Sequence, residues 1–161
     1  MILRLTDTLA RKLKVRPEML HPLNANAFAD WSLHLVRANR KQFVLAANTR
    51  SLYAAIAPME GVVAPNVLEA RVFAHVRSYM ESDGLVFFYR RLVDNEQEET
   101  LFSRPLNPQS SAALRDMGEL VEYYLVEEEM EPTEAAHKIN ETPLSVLRHK
   151  SPRATFQSMG F

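Results

Sequence analysis

The chain reads as an α+β domain: a small antiparallel sheet, built on a meander over residues 30–57 with an N-terminal and an edge strand added, covered by two longer helices and short C-terminal helices. Three observations predict it. Residues 31–57 hold three apolar runs separated only by "ANRK" and "NTRS", the spacing of strands joined by tight turns. Two later stretches repeat apolar residues at three- and four-residue intervals, the period of a helix with one buried stripe. The length, 161 residues, fits one domain over 1–161, large enough to bury about 70% of its unfolded surface without a staple.

"ILRLT" (2–6) alternates as a short strand. Thr6 or Asp7 then caps a helix, "DTLARKLKV", with Leu9 and Leu13 one turn apart. Pro17 and Pro22 bracket a long loop, of a length that is often functional or hides a short helix. In "WSLHLVRANRKQFVLAANTRSLY" (31–53), Trp31, Leu33 and Leu35 share one strand face, and Ser32, His34 and Val36 the other. Asn39 tolerates positive φ, yet "ANRK" has no Gly, so an ideal type I′ turn is not assured. Asn48 and Ser51 can hydrogen-bond their own backbone in "NTRS". "LYAAIA" is the third strand, ended by Pro58. Apolar residues on both faces of this meander predict a sheet covered on both sides.

"PNVLEARVFAHVRSYMESDG" predicts a helix over 66–82, capped by Asn66, with Gly84 past its end. Leu68, Val72, Phe73, Val76 and Met80 form its inward stripe. For "LVFFYRRLVD" the composition says strand and the spacing of residues 85, 88, 89 and 92 says helix; we favour helix. "DNEQEE" is a solvated acidic loop and "TLFSRPL" an edge strand stopped by Pro105. The second long helix, 110–129, turns Leu114, Met117, Val121, Tyr124 and Leu125 inward until Pro132 breaks it. "PTEAAHKIN", "PLSVLRHK" and "SPRATFQSM" are short helices.

The absence of cysteine rules out disulfides, thiolate metal sites and cysteine nucleophiles. "MILRLTDTLARKLKV" has no apolar core of a signal peptide, and no window is apolar for about 18 residues, so a soluble cytoplasmic protein without membrane contact is expected. Net charge is −1 but unevenly spread. Residues 1–58 hold nine Lys/Arg against three Asp/Glu; residues 94–141 hold three against thirteen. Basic and acidic parts are therefore expected to face each other, within the fold or in an oligomer, rather than to grip a polyanion.

Four residues stand out as candidate ligand contacts. Trp31 can stack a planar group, but a lone Trp opening a strand is more often a core edge. His34 can act as a base, though it lacks a visible carboxylate or nucleophile partner. Arg40 belongs to the basic turn with Arg37 and Lys41. Asn48 is polar in an apolar setting. Arg4, Arg11, Lys12, Lys14 and Arg16 form a denser basic group without an interleaved aromatic for base stacking. Residues 133–150 have the outline of a degenerate helix-turn-helix, with Ala136, Ile139 and Val146 inward, but lack the usual turn Gly and follow an acidic run. The histidines form no i,i+4 pair, and the single Glu134–His137 is not a metal centre. With four glycines and no G-x-S-x-G, neither a phosphate loop nor a nucleophile elbow is present.

The order of three segments, "LRLTDTLARKLKV", the Trp-initiated basic hairpin "WSLHLVRANRKQFVLAANTRSLY" and "NETPLSVLRHKSP", resembles a bacterial domain-of-unknown-function family over nearly the whole length. Members tend to follow the Trp with His and, two residues on, Asn; here Ser32 and His34 stand there. They also tend to carry Arg-Ser and Gly in the segment matching "SAALRDMGEL", where this chain has Ser111 and Arg115. The resemblance implies a single cytoplasmic α+β domain and brings no activity, cofactor or metal. The expected function is a non-enzymatic binding or accessory protein acting through protein contacts, self-association included. The alternatives are a nucleic-acid-associated protein using the basic N-terminal helix or residues 133–150, and a small enzyme centred on Trp31 and His34.

Overall fold

A computed structural model describes residues 1–97 and 99–160. The sheet has five strands in the order β4-β3-β2-β1-β5. The meander forms as expected: β2 (Asp30–Ala38), β3 (Lys41–Asn48) and β4 (Ala54–Pro58) run antiparallel. The flanking strands do not continue that pattern. β1 (Ile2–Leu5) is parallel to both β2 and β5 (Leu101–Ser103), so the sheet as a whole is mixed. The connection from β1 to β2 is long enough for the crossover that parallel pairing requires. It contains α1 (Asp7–Leu13) and the proline-bracketed loop, which hides one 3-10 turn at Ala27–Ala29.

The hairpin between β2 and β3 closes through Asn39 and Arg40, with φ of 52° and 62°. Positive φ at both positions is the type I′ geometry, reached here without glycine. Asn39 Nδ2 donates to the Leu125 carbonyl at 3.2 Å, which ties the turn to a helix end.

Both faces of the sheet are covered. On the Trp31 face lie α2 (Pro65–Ser82) and α6 (Pro152–Ser158). Trp31 meets Phe73 edge-on at 6.1 Å and Phe156 at 6.2 Å, an aromatic core joining both helices to the sheet. All five predicted stripe residues of α2 are buried. Its first turn is capped differently from expectation: Ala64 takes the N-cap position, Pro65 begins the helix, and Asn66 lies inside it. Gly84, φ 73°, does follow its end. On the opposite face α4 (Pro108–Val126) presses against His34 and Val36.

Residues 85–93 are helical, a short α3 (Val86–Phe88) running into a π turn at Tyr89–Val93. In the acidic segment "DNEQEE", Asp94–Glu96 form a 3-10 turn and Glu98 lies outside the described residues. The helix expected over 110–129 stops at Val126, well before Pro132. Glu127, Glu128 and Glu129 follow directly, at the negative end of the helix dipole, and the helix does not run on through them. Instead Glu129 takes φ 51° and Met130 N–H returns to the Tyr124 carbonyl at 2.9 Å. Pro132 opens α5 (Pro132–Glu141) at its first turn, where its missing N–H costs nothing.

α5 covers the start of β4. Asn140, 1% exposed, accepts from Ala54 N–H at 2.8 Å and donates to Ala54 C=O at 2.9 Å. Its side-chain amide pairs with the strand as another strand would. The helix expected at "PLSVLRHK" is only a 3-10 turn, Ser145–Leu147, closed by a Leu144–Lys150 bridge. Val146, expected inward, is 61% exposed. The outlined helix-turn-helix therefore lacks its second helix, the one that would enter a DNA groove.

Candidate functional site

The four residues singled out from sequence do not converge. Trp31 and Asn48 face each other across β2 and β3, and Arg40 sits at the other end of the hairpin. Trp31 is fully buried and its Nε1 donates to the Phe28 carbonyl at 2.8 Å. Asn48 organises the β3–β4 turn. Its Oδ1 accepts from Arg50 N, Ser51 N and Ser51 Oγ, and its Nδ2 donates to the Ala27 and Asp30 carbonyls. That is a full set of partners for a primary amide.

His34 is half-buried. Its Nδ1 lies 3.1 Å from Thr6 Oγ1, and its ring edge lies against α4 where Gly118 leaves room. A Cβ at Gly118 would come within 2.9 Å of His34 Cδ2. Burial, with Arg115 nearby, lowers the His34 pKa from 6.5, so the imidazole favours its neutral form. The ring opens on a hollow of about 240 Å³ that also involves Thr8, Arg37, Arg115, Glu119 and Glu122. Arg40 lines a larger hollow of about 720 Å³ with Lys12, Lys41, Glu60 and Glu131. At the hairpin end, then, basic and acidic residues share one depression and partly compensate each other.

The basic N-terminal group divides in two. Arg4 is not a surface cation: it is 1% exposed and forms a two-pronged pair with Asp30, Nε–Oδ1 2.8 Å and Nη2–Oδ2 2.8 Å. Its remaining N–H groups reach the His21 and Pro22 carbonyls and Ser103 Oγ. Asp30 also accepts from Thr49 Oγ1 at 2.7 Å and Asn24 N at 3.0 Å. Thr49 in turn lies 2.8 Å from Ser32 Oγ. This network ties β1, β2, β5 and the long loop together, and every charge in it has partners.

Arg11 and Arg16 remain outside, and the fold brings Arg104 to them. Because β5 pairs with β1, the residue after β5 lies beside the loop that leaves α1. The three arginines surround a hollow of about 550 Å³ whose other lining is Leu5, Asp7, Ala10, Val15 and Pro17. Backbone carbonyls aim two of them: Arg104 Nε donates to Pro17 O at 3.1 Å and Arg11 Nε to Asp7 O at 3.4 Å. All three residues are exposed, and their terminal nitrogens make no hydrogen bond among the described residues. Among the described residues no carboxylate, Asp7 included, comes within 4.0 Å of any of the three guanidiniums. Exposed Met19, Leu20 and Leu23 lie in the loop that follows. Three forked cations over an apolar floor can take a carboxylate or phosphate group together with an apolar neighbour. Sequence reasoning had Arg11 and Arg16 but missed Arg104, whose only signal was its place after an edge strand.

A second cluster was also missed. Asp83 accepts from Tyr53 Oη at 2.6 Å and lies 3.2 Å from His137 Nδ1, while Arg153 donates to the Asp83 carbonyl and to Glu141. It joins the end of α2 to α5, α6 and the β3–β4 turn. Among the described residues no group of three or more His, Cys, Asp or Glu side chains is placed to hold a metal ion. No described helix is long and apolar enough to cross a membrane.

No curated protein matches the chain. Among solved structures it is similar to the catalytic core domain of BIV integrase, with 17% identity over 81% of this chain and 94% of that one, at a TM-score of 0.47. A family model described as "Domain of unknown function (DUF6933)" matches residues 2–155. The three-segment resemblance and this match over nearly the whole length agree, and the chain belongs to that family.

Proposed function

We propose that the protein is a non-enzymatic binding module that works through protein contacts, taking an acidic, apolar-edged segment of a partner at the Arg11–Arg16–Arg104 hollow. One observation carries the reading: three arginines line one hollow with an apolar floor and, among the described residues, no carboxylate in ion-pair range, in a chain with more acidic than basic residues. Mutual repulsion of unpaired cations is a cost that an anionic partner relieves. The setting we infer is the bacterial cytoplasm, from the family resemblance and the lack of cysteine.

Nucleic-acid contact ranks second. The same arginines would suit phosphates, but the described lining of the hollow contains no aromatic on which a base could stack. Catalysis by His34 ranks third, because among the described residues its hydrogen-bond partner is a threonine hydroxyl rather than an orienting carboxylate.

The test is fluorescence anisotropy with a labelled peptide of alternating Glu and Leu, at low and high salt. Binding that weakens about tenfold or more with salt, and is lost in Arg11→Glu/Arg16→Glu/Arg104→Glu, is expected. Equal binding by the triple variant, or tighter salt-sensitive binding of duplex DNA than of the peptide, would overturn the reading.

A further inference from the structure

We infer that the partner taken at this hollow is a second copy of the chain, which offers the acidic end of its α4; the inference rests on the binding reading above. Glu122, Glu127 and Glu129 are exposed there, with Tyr123 49% and Val126 36% exposed among them. Among the described residues, only Glu128 of this run has a cation in range, Lys138 at 3.9 Å. Lys41 lines a hollow with Glu129 without closing to ion-pair distance. The chain thus carries two surfaces of opposite charge, with Arg11, Arg16 and Arg104 on one and Glu122, Glu127 and Glu129 on the other without an ion-pair partner among the described residues, each edged by exposed apolar side chains: Met19 and Leu20 beside the arginines, Tyr123 and Val126 beside the glutamates.

Their placement matters as much as their charge. Thr8 of α1 and Arg115, Glu119 and Glu122 of α4 line one hollow, so the two helices are neighbours on the surface. A two-fold axis between copies then sets the basic side of each α1 toward the acidic end of the other α4. Both contacts form at once, and the assembly closes as a dimer instead of growing as a filament. Net charge near zero leaves no overall repulsion to oppose it.

The experiment is sedimentation velocity on the full chain at about 20 mM and about 500 mM salt, between which the screening length falls from roughly 20 Å to about 4 Å. A dimer at low salt that dissociates at high salt is expected. Arg11→Glu/Arg16→Glu/Arg104→Glu alone, and Glu122→Lys/Glu127→Lys/Glu129→Lys alone, should each weaken the dimer at least about tenfold, since like charges then face each other. Mixing the two variants, or combining all six changes in one chain, should restore it. That rescue separates lost attraction from lost folding, and all six positions are exposed. A wild-type chain that stays monomeric at low salt, a dimer indifferent to both sets of changes, or a mixture that does not pair would overturn the inference. A monomer that still binds the acidic peptide leaves the binding reading standing; a chain that does neither loses both.

Discussion

Arg4 and Asp30 show how much a single side chain's meaning depends on its surroundings. An arginine in a basic N-terminal segment looks like a surface charge, yet this one is enclosed with its carboxylate and five further hydrogen-bonding neighbours. Removing one member leaves the other charge buried without compensation. Arg4→Met is therefore expected to lower unfolding stability by about 3–5 kcal/mol in denaturant titration, whereas Arg11→Met at the surface should change it by less than about 0.5 kcal/mol. Comparable small losses for both would refute the structural role of Arg4. His34 makes a second prediction at this scale. Its pKa is lowered in the fold by burial and then by Arg115, so the unfolded chain takes up a proton first as pH falls. Stability is present above the unfolded value of 6.5 and declines as pH drops below it toward the folded value. His34→Gln should flatten that decline in melting experiments; an unchanged pH profile would mean other groups cause it.

At the scale of elements, α4 carries a glycine in its interior, which costs a helix about 1 kcal/mol relative to alanine. The reason is the neighbouring strand, since a methyl group there would stand 2.9 Å from the His34 ring. Gly118→Ala is expected to destabilise the protein by about 1–3 kcal/mol through overpacking. With His34→Ala already present, the same change should become neutral or stabilising, as only the gain in helix propensity remains. Additive effects in that double-mutant cycle would show that ring and glycine are not coupled. The β4 edge depends on α5 in a similar way. Asn140→Leu would strand the N–H and C=O of Ala54, at a cost of roughly 2–4 kcal/mol, and amide exchange at Ala54 should accelerate. Protection of that amide in the variant would argue against the side-chain pairing.

Over the whole molecule, the layer on the Trp31 side of the sheet is held by buried tyrosines as well as by aliphatic side chains. Burial raises the hydroxyl pKa of Tyr53, Tyr79 and Tyr89 above 10.0, and at Tyr53 the hydrogen bond to Asp83 adds to the rise. The unfolded chain loses these protons near pH 10, while the folded chain keeps them. Above that pH the folded state binds more protons than the unfolded one, so stability falls as pH rises. Melting temperature should drop above about pH 10, and phenolate absorbance from these three should appear with unfolding rather than before it. Free titration of all five tyrosines in the folded protein would contradict the packing described. The uneven charge also belongs to this scale: partly compensated where Arg40 and Lys41 share a depression with Glu60 and Glu131, it is left open at the Arg11–Arg16–Arg104 hollow and at Glu122, Glu127 and Glu129, which have no ion-pair partner among the described residues.

The meander, the stripes of α2 and α4, and the coverage of both sheet faces were legible in the sequence. Alternation, three- and four-residue spacing and turn residues are local signals, and local backbone preference is what they report. The α+β class follows from them, and the family from the order of three sequence segments. The parallel addition of β1 and β5, the pairing of Arg4 with Asp30 and the arrival of Arg104 beside Arg11 and Arg16 rest on contacts between distant parts of the chain. The early end of α4 and the reduction of residues 145–147 to one turn are closed by short-range backbone contacts, Met130 N–H to the Tyr124 carbonyl and the Leu144–Lys150 bridge, which residue propensity does not report. A charged side chain is written the same way whether water or a carboxylate will surround it. Only the packed chain removes the water from Arg4 and leaves it around the three arginines.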